Sequence, residues 1–336
     1  MGPPKRPPFP FLPGVVEGTT ADVYFPRTRD VLETMGLDPV VSMLFFPSRA
    51  GRLWGLDQVM QLLGEAGFVG ELLSVPDGAH FEPGESVLVL RGAYSTFGIY
   101  ETALLGMLSS GSGWATAAEQ CVTAARGVAV ISFGARHIHP NVAPIMDAAA
   151  VAAGCASCSS TLGAMLAGVE PSGTMPHALM LIAGDTVRAA EGFDASMPPD
   201  VPRIVLVDTF TDEAVESVRV ATALGDRLQG VRLDTPRERG GVTVELVREV
   251  RARLDAAGFE TVTIFVSGGM TPERIGAFRE AGAPVDGFGV GSYIARATPI
   301  EFTADIREID GVPVSKRGRL PGLGDITRLE PISLSV

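Results

Sequence analysis

Two segments toward the end of the chain, Phe265-Val266-Ser267-Gly268-Gly269 and Gly287-Phe288-Gly289-Val290-Gly291-Ser292, each run from apolar residues into glycine and serine. The first leads straight into Thr271-Pro272-Glu273-Arg274, where Thr suits a helix cap and Pro the first helical position. A strand, a glycine turn and a helix start gather several backbone N–H groups around one point, an arrangement that suits a phosphate. Two such turns on consecutive strand–helix units match the phosphate site after the last two strands of a (β/α) barrel. The pattern points to a phosphorylated small molecule, although tight turns between strand and helix also use glycine.

The elements that must hold these turns follow from the apolar pattern. Val128 to Phe133, Ile204 to Val207, Val231 to Leu233, Ile264 to Val266 and Gly287 to Val290 are predicted strands. Asp212 to Leu224, Val242 to Ala257 and Pro272 to Ala281 are predicted helices between them, and the alternation implies a parallel sheet. Polar residues follow the strands: Arg136 after Phe133, Asp208-Thr209 after Val207, Arg232 and Asp234 at Val231, and Ser267-Gly268-Gly269 after Val266. Barrel enzymes assemble their sites in this way, whereas an open doubly wound sheet gathers its ligand groups at one crevice. The expected fold is α/β, an irregular TIM-like (β/α) barrel over residues 111–297. A flanking α+β domain is expected from residues 1–110 and 298–336, where Glu71 to Val75, Ser86 to Leu90 and Val312 to Val314 are strand-like.

Composition narrows the function classes. The net charge of −12 argues against a nucleic-acid partner. The start of the chain is proline-rich and reads as a flexible lead-in, not a secretory signal. Ala148 to Val169 lacks charge but is built from Ala, Gly, Ser and Cys, so it reads as two closely packed helices and not as a membrane span. A cytoplasmic protein with no membrane partner is expected. The 3 cysteines exclude a disulfide scaffold, and Cys155 and Cys158 lack the second pair that a zinc site needs. Buried or pocket-lining thiols in a reducing compartment are expected. Lys5 and Lys316 are the only lysines, and Lys316 lies in the dense basic cluster Ser315-Lys316-Arg317-Gly318-Arg319, either a solvated tail or a segment that reaches an anionic site.

Gly173-Thr-Met-Pro-His177, together with Asp22-Val-Tyr24-Phe-Pro-Arg-Thr28, resembles the nicotinate phosphoribosyltransferase family, in particular its shorter archaeal-type branch. In chain order the resemblance also takes in Glu101 to Gly106, Phe133 to Arg136 with His139-Pro140, and Leu206 to Phe210. It continues through Gly230 to Thr235, Val266 to Gly269, Phe288 to Gly291 and Lys316 to Gly318, so it covers nearly the whole chain.

The resemblance implies ribosyl phosphate transfer from phosphoribosyl pyrophosphate (PRPP) to nicotinate, coupled to ATP hydrolysis through a phosphorylated His177. It also implies a homodimer with sites at the subunit interface. Phe133 and the partner subunit's Tyr24 would stack on the pyridine, while Arg136, Arg232 and Ser159 would hold its carboxylate. Ser159, where an Asp would suit an amide, favours the acid over nicotinamide. The 5′-phosphate would rest on Ser267, Gly268, Gly269, Gly289 and Gly291. Asp208 and Asp234 would face the ribose hydroxyls or a Mg²⁺ ion, with Lys316 at the leaving pyrophosphate.

Two departures stand out. Ser157-Cys158-Ser159-Ser160 replaces the family's Gly-Thr-Ser-Asn, and the chain ends without the branch's cysteine-rich zinc knuckle, so no structural zinc is expected. Three competing readings remain. A quinolinate phosphoribosyltransferase would need a denser basic pocket for two carboxylates and no phosphorylated histidine. A non-catalytic nucleotide-binding paralogue is supported by the altered loop. An aldolase-like barrel enzyme would need a Schiff-base lysine that the barrel segment lacks.

Overall fold

The computed structural model describes residues 7–334. The chain divides into two units, one spanning 117–296 and the other formed by the residues up to Thr116 together with those from Ala297 onward.

The first unit is built on a six-stranded parallel sheet. Its strands are Ala129–Ser132, Ser157–Cys158, Ile204–Leu206, Gly230–Leu233, Thr263–Val266 and Gly287–Val290. From one edge the order is third, fourth, fifth, sixth, first, second. The last strand thus pairs with the first, as in a barrel, and the sheet is open only between the second and third. The parallel α/β sheet is as expected, but it is a half-barrel and not a closed ring. The physical reason is the chain from Thr161 to Ser196, which forms the helices Thr161–Ala167, His177–Ala183 and Thr186–Ser196 and contributes no strand.

Capping residues set the helix starts. Asp212 accepts from the amides of Ala214 and Val215, Thr243 from Leu246 and Thr271 from Arg274, beginning Glu213–Leu224, Val244–Ala256 and Pro272–Glu280. In Val244–Ala256 the buried residues are Val247, Val250 and Leu254, one stripe facing the sheet unit's core. The uncharged stretch expected as two helices comprises the end of Ala143–Ala152, then Thr161–Ala167, with the Ser157–Cys158 strand between these packed helices. All 3 cysteines are buried as free thiols. Among the described residues no helix is long and apolar enough to cross a membrane.

The second unit carries a six-stranded sheet ordered Val312–Pro313, Phe302–Ile309, Val40–Pro47, Leu88–Ala93, Gly70–Ser74 and Glu330–Ile332. Segments from both chain regions therefore interleave in one sheet. The helix Leu56–Glu65 buries Val59, Leu62 and Leu63 in a core shared with Val41, Phe45 and Leu90. The unit boundary falls within the 25-residue helix Glu101–Ala125, which the sequence reading did not anticipate.

Candidate functional site

In the half-barrel, five strands deliver a polar or aromatic residue just beyond their C-terminal ends, and the strand Gly287–Val290 delivers a glycine. Phe133, Ser159, Asp234, Ser267 and Gly291 directly follow five of the strands, and Asp208 comes two residues after the sixth. Five of these six line a cavity of about 620 Å³ that also receives Arg136, Arg232 and His177. Asp208 lies behind it, with a fully buried side chain.

The phosphate-type turn requires glycine for two separate reasons. Gly268 and Gly269 have φ of 85° and 67°, a left-handed backbone that side chains disfavour. Gly289 is in extended backbone, but a Cβ there would lie 2.5 Å from the Phe133 ring. Phe133 can therefore occupy the pocket wall only because position 289 has no side chain.

Arg232 is the central cation. Its Nη1 donates to Thr174 Oγ1 at 2.7 Å, its Cζ lies 5.6 Å from the Phe133 ring centroid, and Nη2 is 3.8 Å from Asp234 Oδ2. Burial lowers its pKa, against the attraction of Asp234 and Asp208. Ser267 Oγ donates to the other oxygen of Asp234 at 2.9 Å, which orients that carboxylate.

His177 opens the short helix His177–Ala183, and its Nε2 is 3.3 Å from Asp208 Oδ2. Burial raises the Asp208 pKa, with attraction to His177 acting the other way. Asp208 Oδ1, Thr209 Oγ1 and Arg232 Nε are buried without a hydrogen-bond partner. Each such atom costs on the order of 1–3 kcal/mol unless something satisfies it. Of these residues Arg232 lines the cavity, where a ligand could satisfy its Nε.

The Ser157 to Ser160 loop has a structural part and an open part. Asp147, fully buried, accepts from Ser132 Oγ at 2.7 Å and from Ser160 Oγ at 2.6 Å. Ser160 in turn caps Thr161–Ala167. Ser159 spends its amide on Ser132 O at 2.9 Å and leaves its side chain on the cavity wall.

The structure thus brings together Phe133, Arg136, Ser159, His177, Arg232, Asp234, Ser267, Gly268, Gly269, Gly289 and Gly291. Tyr24 and Lys316 belong to the second unit. Tyr24 is exposed there, its hydroxyl donating to Asp22 Oδ2 at 3.0 Å, and Lys316 Nζ pairs with Asp305 at 2.8 Å. Sequence reasoning missed His137, a lining residue whose pKa is lowered by burial and by Arg136 and Arg296. It also missed Thr174, although that residue sits inside the Gly173 to His177 motif. Among the described residues no cluster of three His, Cys, Asp or Glu side chains is placed to hold a metal.

The family models for the quinolinate phosphoribosyl transferase N-terminal and C-terminal domains match residues 22–112 and 114–305. A solved nicotinate-nucleotide pyrophosphorylase from Pyrococcus furiosus superposes with a TM-score of 0.86 at 45% identity, covering 95% of this chain and 82% of that one. Human nicotinic acid phosphoribosyltransferase, at 18% identity, a TM-score of 0.75 and coverage of 90% and 77%, shares the fold. A nicotinate phosphoribosyltransferase of Mycobacterium tuberculosis is 34% identical over 285 residues, 81% of this chain. The chain spans 60% of that relative's length. The matching family models overturn the expectation of an ATP-coupled nicotinate phosphoribosyltransferase. The chain belongs to the quinolinate phosphoribosyl transferase family.

Proposed function

We propose that this chain transfers the phosphoribosyl group of PRPP to the ring nitrogen of quinolinate, without ATP. The observation that carries the reading is the convergence of Arg136, Arg232, His137 and His177 on one cavity beside Phe133. Two fixed guanidinium cations and two imidazoles match a flat ring with two adjacent carboxylates better than one with a single carboxylate. Arg136 and Arg232 support the denser basic pocket that quinolinate requires, and the family supports the same acceptor.

In this reading the Phe133 ring packs against the pyridine and Arg232 donates to a carboxylate, with Ser159 adding a hydroxyl. The 5′-phosphate takes the Ser267-Gly268-Gly269 and Gly289-Val290-Gly291 backbone, and Asp234 meets the ribose hydroxyls. The pyridine nitrogen forms a bond to C1 of the ribose as the bond to pyrophosphate breaks. The carboxyl next to that nitrogen then leaves as CO₂, its bonding electrons remain on the ring carbon, and a proton takes its place to give nicotinate mononucleotide. Asp208 orients His177 as a pocket hydrogen-bonding group.

Asp234 on the cavity wall suits a hard cation that shares its coordination shell with phosphate oxygens. Mg²⁺ held there would offset the charge developing on pyrophosphate. A second copy of the chain would supply Tyr24 to the pyridine.

The test is to supply quinolinate labelled with ¹³C in the carboxyl next to nitrogen, together with PRPP and Mg²⁺. Label in CO₂ and unlabelled nicotinate mononucleotide are expected, and intact quinolinate after prolonged incubation contradicts the reading.

A further inference from the structure

Arg274 lies in the first turn of Pro272–Glu280, where a side chain ordinarily points to solvent. Here it folds back on the turn that precedes its own helix. Its Nη1 donates to the carbonyl oxygens of Gly268 at 2.7 Å and Gly269 at 3.0 Å, and its Nη2 donates to Val242 O at 3.1 Å. One half-buried guanidinium thus ties both glycine peptides to the segment that leads into a neighbouring helix.

The consequence follows from peptide geometry. A trans peptide has its carbonyl and its N–H on opposite edges. No peptide bond in this chain is cis, so drawing the Gly268 and Gly269 carbonyls onto Arg274 turns the Gly269 and Met270 N–H groups the other way. Among the described residues the amides of Gly268, Gly269 and Met270 make no hydrogen bond. Gly268 and Gly269 also line the cavity. Glycines free to rotate would lose this alignment, because their left-handed conformation is one of several open to them.

We propose that Arg274 is a positioning residue that fixes the Ser267-Gly268-Gly269 turn with its amides aimed at the ligand's phosphate. This rests on the reading of the cavity as a phosphoribosyl site. The arginine touches carbonyls and not the ligand, so its contribution is pre-organisation, and its loss affects affinity for the phosphorylated substrate alone.

The test measures ribose 5-phosphate affinity by calorimetry and the separate KM values for PRPP and quinolinate, in wild type, Arg274→Met and Arg274→Lys. Arg274→Met removes all three contacts and is expected to weaken ribose 5-phosphate binding and raise the PRPP KM by about tenfold or more. The quinolinate KM and the turnover at saturation stay near wild type. Arg274→Lys keeps the charge without the planar fork and gives an intermediate loss. Wild-type affinity in a folded Arg274→Met protein overturns the proposal, and so does a parallel rise in both KM values. Should Arg274→Met fail to fold, unchanged affinity in Arg274→Lys is equally decisive against it. Ribose 5-phosphate binding is read without turnover, so a failed quinolinate assay contradicts the proposed function and leaves the clamp result standing.

Discussion

The Arg232 guanidinium carbon lies 5.6 Å from the Phe133 ring centroid while Thr174 Oγ1 accepts from its Nη1 at 2.7 Å. An arginine held in this way is pre-oriented, with Nε still unspent. Arg232→Lys loses the fork and should raise the quinolinate KM by about 10- to 150-fold, the range for one charge-assisted contact. Steady-state kinetics with each substrate varied in turn checks this, and an equal effect on the PRPP KM would contradict a role confined to the acceptor.

The pair His177–Asp208 predicts a different signature. Asp208→Asn keeps the shape of the side chain but removes the charge that orients the ring. Loss of a hydrogen bond to a charged group should lower kcat/KM for quinolinate by about tenfold or more. ATP should stimulate neither wild type nor variant, and acid-labile label from γ-labelled ATP should be absent from both.

In the second unit, burial pushes Glu101 up to about 7, reinforced by Asp305 and Asp22 and opposed by Lys316. A folded-state pKa raised above the unfolded value favours the protonated fold. The stabilising contribution is complete below the unfolded value and is lost as pH rises through about 7. Glu101→Gln cannot ionise, so it should flatten the fall in thermal midpoint that wild type shows between about pH 5 and pH 8. Parallel melting curves for the two proteins across that window would contradict the assignment.

Much of the site was legible because strand, polar strand end and helix cap are local features. Phe133, Asp234, Ser267 and Gly291 could be read from the residue type at or after the end of each apolar run, whereas Ser159 came from the resemblance alone, because Ala148 to Val169 reads as two helices. The helix Glu101–Ala125 was not anticipated, and its Gly106, Gly111 and Gly113 are poor helix formers. In the fold, a Cβ at Gly111 would lie 2.6 Å from the Trp54 ring and one at Gly113 would lie 2.8 Å from Thr298 O, so these two serve close packing. Arg274 has the local pattern of any first-turn arginine, and its function appears only when the turn folds back onto it. The acceptor was misread for a related reason. Arg136 and Arg232 read as acceptor groups from the sequence, but spacing along the chain does not reveal that His137 and His177 face the same cavity.

The most direct test of the proposed function is pyrophosphate release by the purified protein with PRPP and Mg²⁺, offered quinolinate, nicotinate or nicotinamide, with and without ATP. Release with quinolinate alone, at a rate indifferent to ATP, is the predicted result. Release that requires nicotinate and rises with ATP, while quinolinate is left untouched, would contradict it.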